Sequence, residues 1–322
     1  MSELAVAVYA GETGSHQLER PRNARFASFA RSFDERDFGR RLSERGLRFL
    51  GRSDPAFPPL VRAIHDPPVG LFVRGAADVE LLARPAVAVV GARACSAYGG
   101  HVARTLAREL AAAGLVVVSG LARGIDGAAH RGALEAGGLT VAVLGCGIDR
   151  DYPASHRELA RGIVESGLIV SEYAPGVEPA PWRFPARNRV IAGLAAATVV
   201  VEARDRSGAL ITADLALEEG REVFAVPGEI TSSLSKGTNA LLRSGATPLT
   251  SSADVLEHFG LEPESAQLAD SEAAPILAQL PATADELARL TELEPGHLAA
   301  LLAELELAGL VVEGEGTYRA AQ

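Results

Sequence analysis

Lysine is nearly absent from this chain of 322 residues: Lys236 is the only one, and every other cationic side chain apart from histidine is an arginine. Two cysteines, Cys95 and Cys146, are too few for a disulfide framework or a four-thiolate zinc site. A reduced, cytoplasmic chain without metal or cofactor is the simplest expectation. No basic stretch followed by an apolar run opens the sequence, so no secretory leader is expected. The longest apolar run, Val190 to Val201, spans 12 residues and includes Gly193, too short for a bilayer-spanning helix; no membrane partner is expected. The dinucleotide fingerprint GxGxxG is also missing from the strand–helix junction where it would be sought.

What is present describes an ordinary globular protein, with 48% apolar and 22% charged residues in a length that suits about two domains. The net charge of -10 argues superficially against a nucleic-acid partner, but it is unevenly spread. From Asp254 onward there are 14 acidic residues against two arginines, Arg289 and Arg319. The body before Asp254 is therefore slightly basic and free to hold a basic groove.

Residues 1–47 show no clear periodic core, although Arg31 to Arg45 is helix-like, and part of this segment is expected to be disordered. Residues 48–84, with DPAFPPL and DPPVGLFVRG, read as a lead-in packing on a larger domain. From residue 85 to 260 the pattern is regular. Apolar runs at Ala86–Val90, Leu115–Val118, Thr140–Leu144, Leu168–Val170, Thr198–Val201 and Val223–Val226 are continuous, as in parallel strands buried on both faces. Helical segments between them, near Gly99–Ala113, Asp126–Ala136, Ala154–Glu165, Asn188–Ala195 and Leu210–Glu219, predict an α/β, Rossmann-like, doubly wound and mostly parallel sheet. Ligands of such folds bind at the carboxyl ends of the strands. Residues 261–273 read as an acidic linker. Residues 274–322, with three short helices and a hairpin containing Gly314 and Gly316, read as a small winged-helix domain.

Five loops follow strands and carry Gly, Ser or Arg. In GARACSAYGG, Gly91 opens a turn, Arg93 suits bidentate phosphate contact and Ser96 can donate at a helix start; a plain strand–helix turn is the structural alternative. In SGLARGIDGAAH, Gly120 and Gly124 bracket Arg123 after Ser119. Asp126 and His130 stand four apart on one helical face, as an acid–base or metal pair would; with no third ligand near, a cap and a buried core histidine are favoured. PWRFPARNRVIAG holds Arg183, Arg187 and Arg189 beside Trp182 and Phe184, the cation-plus-aromatic mixture of single-strand binding. Its alternative has one aromatic in the core and one arginine paired with an acid such as Glu172. In DRSGALITA, Ser207 and Gly208 precede a helix, and Lys236, Gly237, Thr238 and Asn239 begin another; ordinary capping is the alternative for both.

The stretches VAVVGAR with a following S-x-Y-G, VVSGLARGIDGAAH, LGCGIDRDYPASH, IVSEY, FPARNRVIAGL, SGALITA, VFAVPG and KGTNALLRSGA occur in the order seen in the DprA/Smf family. The resemblance covers about residues 48–258, and the C-terminal segment resembles the winged helix many members carry. It implies a non-enzymatic protein that binds and protects single-stranded DNA, helps load the RecA recombinase in natural transformation, and forms a homodimer. It further implies phosphate contacts by Gly91, Arg93, Ser96 and Tyr98, and by Arg183, Phe184, Arg187, Asn188 and Arg189. Residues 1–47 do not show the helical domain with which many members begin. Ala154 and His156 replace the Lys and Asn often found there, which throws weight onto the arginines. A rival class, a nucleoside-monophosphate phosphoribohydrolase, carries a PGGxGT loop that VPGEITSS does not reproduce. The candidate recognition helix, Pro295 to Leu307, has Glu304 and Glu306 and no arginine or lysine, so the acidic domain is expected not to bind DNA but to serve protein contact or autoregulation.

Overall fold

The computed structural model describes residues 2–13, 24–261, 273–307, 310–314 and 316–320; most of the expected linker lies outside the described residues. The chain divides into two compact units, Met1–Val255 and Leu256–Gln322.

The first unit is built on a nine-stranded sheet. Six strands fall on the apolar runs to within one residue: β3 (Ala86–Val90), β4 (Val116–Ser119), β5 (Thr140–Leu144), β6 (Leu168–Ser171), β7 (Ala197–Val200) and β8 (Glu222–Ala225). They are parallel to one another, in the order β6-β5-β4-β3-β7-β8, with β9 (Thr247–Pro248) parallel beyond β8. Alternation divides β5 and β6 between two cores: Val141 and Val143 of β5 with Leu168 and Val170 of β6 face one, Ala142 and Leu144 with Ile169 the other. α8 (Arg183–Leu194) and α9 (Gly208–Glu218) cover the first, and α7 (Arg157–Ser166) covers the second. α5 (Ala97–Ala112) packs along α6 (Ile125–Glu135).

Two expectations change. Residues 48–84 are more than a lead-in: β1 (Leu47–Gly51) and β2 (Gly70–Arg74), with the short α4 (Pro59–Arg62) between them in the chain, extend the sheet, with β2 antiparallel to β6. The N-terminal region holds three helices, α1 (Glu3–Thr13), α2 (Ala24–Ser32) and α3 (Glu35–Glu44). Every residue from Leu4 to Gly11 is buried, so α1 has no polar face and shows no helical period in sequence. Its Tyr9 ring meets Phe26 at 5.2 Å and Phe29 at 5.3 Å. Asp34 separates α2 from α3 because its carboxylate accepts from the Asp37 amide at 2.9 Å and caps the second helix.

The second unit is a winged helix. Its helices are Ala274–Leu277, Ala284–Thr291 and Pro295–Leu307; strand Ala282–Thr283 and the hairpin Val311–Gly314/Thr317–Ala320 form a three-stranded sheet. Leu298, Leu301, Leu302 and Leu305 pack its small core with Leu287 and Val311. The outward face of the long helix carries Ala299, Ala300, Ala303, Glu304 and Glu306. Among the described residues of the chain, no helix is long and apolar enough to cross a membrane.

Candidate functional site

The strand order turns back at β3, which lies between β4 and β7 although it precedes both. A crevice opens at the carboxyl ends of strands at such a reversal. Here a cleft of about 590 Å³ is lined from the loop after β3 (Gly91, Arg93), the start of α6 (Asp126), α8 (Phe184, Arg187, Asn188) and the start of α9 (Ser207, Gly208), with Tyr152 on its wall. The first two loops interlock, since the Ile125 amide donates to the Ala92 carbonyl. Gly124 has a φ of +77°, and a Cβ there would lie 2.2 Å from the Ala92 oxygen, so only glycine permits this junction.

α8 begins at Arg183, not near Asn188 as the sequence suggested. Pro185 falls in its first turn, where its missing N–H has no helical partner to lose. This early start turns Phe184, Asn188 and Ile191 toward the cleft on one helical stripe. Asn188 donates to the Gly208 carbonyl at 3.0 Å and so ties α8 to α9. Arg187 is buried and donates to the carbonyls of Gly120, at 2.8 Å, and Val143. Burial lowers its guanidinium to about 10, which leaves it cationic at neutral pH. Burial likewise raises the Asp126 carboxyl, whose Oδ2 accepts from the Ala122 amide at 3.2 Å.

Two groups at the cleft are unspent. Arg93 is exposed, with its guanidinium 5.2 Å from the centre of the Phe184 ring and no ion pair among the described residues. Ser207 Oγ is buried at the start of α9 without a hydrogen-bond partner among the described residues. Tyr152 stacks on Phe184 with centroids 5.5 Å apart. Arg123 is exposed beside a small recess of about 60 Å³ that Arg93, Tyr152 and Phe184 also line.

Residues 48–260 match the family model for DNA recombination-mediator protein A, and residues 261–317 match the DprA winged helix domain. The chain belongs to the DNA recombination-mediator protein A family. It is similar to the DNA processing protein DprA of Streptococcus pneumoniae, with 48% identity over 206 residues, 64% of this chain and 72% of that one. The X-ray structure of that protein covers 79% of this chain and 92% of its own, with a TM-score of 0.68 and 40% identity. DNA processing protein A of Helicobacter pylori, a structure described for its single-stranded DNA binding mode, covers 66% and 95%, with a TM-score of 0.60 and 32% identity.

Within this family member, several residues singled out in the sequence have internal duties. Arg189 is paired with Glu172 at 2.7 and 2.9 Å and with Asp66 at 3.0 Å, the pairing named as its alternative. Arg183 is buried, donates to the carbonyls of Glu178 and Gly11, and lies over the rings of Tyr173 and Trp182. Ser119 is buried and donates to the Val89 carbonyl at 2.6 Å. Ser96 caps α5 and holds Glu202. Tyr98 is 58% exposed but lines a separate groove with His101 and Pro227. The Gly237 amide donates to Ala203, Thr238 is buried, and Asn239 braces Gly228 through both its amide atoms. Lys236 is exposed at the start of α10 (Lys236–Arg243) and is not among the residues lining the cleft.

Asp126 and His130 form no pair. His130 Nδ1 meets Thr140 Oγ1 at 2.7 Å in the core, and burial lowers its imidazole to about 3. Burial raises both thiols, Cys146 to about 11. Among the described residues no group of three or more His, Cys, Asp or Glu side chains is placed to hold a metal ion. Sequence reasoning passed over Glu202, Tyr152, and the exposed Arg204 and Arg206 of the turn before α9. The visible signals were an acid closing the apolar run of β7 and an aromatic in the loop after β5.

Proposed function

We propose that this chain binds single-stranded DNA across the carboxyl ends of β3, β4 and β7 and acts as a mediator without turnover. Incoming strands would be protected in the cytoplasm during natural transformation and passed to the RecA recombinase, by a homodimer. The observation that carries the reading is the cleft itself, with Arg93 resting on Phe184 at one side and the Ser207 hydroxyl at the start of α9 on the other, neither with an ion-pair or hydrogen-bond partner among the described residues. A buried hydroxyl without a partner is costly in isolation, and a phosphate oxygen at a helix start satisfies it. The aromatic rings on the same cleft suit bases whose faces are free. Such contacts read backbone and stacking, so sequence preference is low.

Support from the relatives is of the same kind: the Helicobacter protein binds single strands. Asp126 is the one carboxylate among the lining residues, and it spends an oxygen on the Ala122 amide. The deciding measurement is affinity for a single-stranded oligonucleotide and for the same sequence as duplex, at several salt concentrations. Tighter binding of the single strand is expected; equal or tighter duplex binding overturns the reading. Release of free base from nucleoside monophosphates would overturn the absence of turnover.

A further inference from the structure

The loop after β5, residues 145–153, is pinned to its surroundings by charge. Asp149 accepts from Arg45 at 2.9 Å and from the Gly176 amide at 2.8 Å. Arg150 pairs with Glu178 at 2.5 Å, and Asp151 with Arg74 of β2 at 2.6 Å. Each pair alone stabilises little where it is exposed. Together they fix three consecutive residues directly before Tyr152.

Tyr152 has one described partner, the Phe184 ring, with planes 25° apart. It remains 44% exposed. Phe184 is half-buried and already carries Arg93 as well as Tyr152 against it, so less of its surface is open to a ligand. Tyr152 therefore presents the freest aromatic surface on the cleft wall, on a loop that is already ordered. An ordered ring loses little conformational freedom when a flat ligand stacks on it. The cleft runs from this ring, after β5, to Ser207 and Gly208, after β7. That crosses three strand spacings, about 14 Å.

From this we infer that Tyr152 is a stacking subsite for one unpaired nucleobase, the outer end of a Tyr152–Phe184–Arg93 stack. The inference rests on the single-strand reading above and adds the place where a base is held apart from the phosphates. Duplex DNA hides its base faces and would gain nothing there.

The test uses the full chain and a fluorescein-labelled oligothymidylate, with anisotropy read across a salt series and melting temperature read alongside. Tyr152→Leu keeps an apolar contact for Phe184 but removes the aromatic face. It is expected to weaken binding at least about fivefold, the lower end of a stacking contribution of ~1–3 kcal/mol. The log–log salt slope and the melting temperature should not move, and Tyr152→Phe should restore the lost affinity. Affinity of Tyr152→Leu within twofold of the unaltered chain overturns the subsite. So does a loss that comes with a flatter salt slope or a lower melting temperature, or one that Tyr152→Phe fails to restore. No single-strand binding by the unaltered chain would instead overturn the functional reading itself.

Discussion

The carboxylate of Glu202 accepts the Ser96 hydroxyl at 2.5 Å and the Ser96 amide at 2.9 Å, so the amino end of α5 is already held by an anion of the chain's own. A Cβ on Gly99 would sit 2.4 Å from that carboxylate, which is why the first turn of α5 carries glycine there. The Ser96 hydroxyl also accepts from the Gly99 amide at 2.9 Å. An anionic ligand at this point would have to displace Glu202. Ser96→Ala is therefore expected to cost about 2 kcal/mol of stability, a lost cap together with a hydrogen bond to a charged group. Single-strand affinity of the folded variant should stay within about twofold. Denaturant unfolding and a binding titration on the same preparation check both parts; a large affinity loss at unchanged stability would return Ser96 to the DNA path.

Arg93 is the opposite case. Its guanidinium is exposed and its described contact is the Phe184 ring. Arg93→Ala should weaken single-strand binding and flatten its salt dependence, with the log–log slope falling by roughly 0.7 for one lost phosphate contact. An unchanged slope would place this arginine off the backbone path.

The winged-helix unit presents alanines and glutamates on the outward face of its longest helix. A helix that reads the major groove needs cations or amide side chains there, and phosphates are repelled by this one. Removal of residues 261–322 is expected to leave single-strand affinity unchanged, or to raise it if the acidic segment competes with DNA. A several-fold loss in a truncated protein that remains folded would assign this unit to DNA binding.

His130 predicts an acid sensitivity. Burial holds its imidazole at about 3, against 6.5 for an ordinary histidine. Between those values the unfolded chain binds the additional proton, so stability is intact above 6.5 and is lost as pH falls toward 3. Going from pH 7 to 5 should cost the unaltered chain about 2 kcal/mol more than it costs His130→Gln. Urea midpoints at the two pH values decide it; parallel losses in both proteins would mean that His130 does not drive the acid response.

The strands were legible because burial on both faces writes continuous apolar runs such as Ala86–Val90 and Thr140–Leu144. The loops after them were legible because turns and helix starts demand glycine and serine. The first N-terminal helix was not, because burial from Leu4 to Gly11 erases the polar face that gives a helix its period. The start of α8 was misplaced because Pro185 reads as a break, although in a first turn it is harmless.

Sequence by itself determined the family, the parallel sheet and the short set of loops that meet at its carboxyl edge, since those follow from local pattern. Only the tertiary structure decided which arginine is free. Arg93, Arg183, Arg187 and Arg189 are the same residue type in similar company. Whether a guanidinium meets solvent or a carbonyl, a ring or Glu172 depends on how the fold aims each side chain, at partners that range from the adjacent Trp182 to Gly11, 172 residues away. Glu172 was visible as an acid near the three arginines, but only the fold shows that Arg189 is the one it takes, and Tyr152 meets the Phe184 ring of α8 from the loop after β5, a relation that leaves no mark in local sequence.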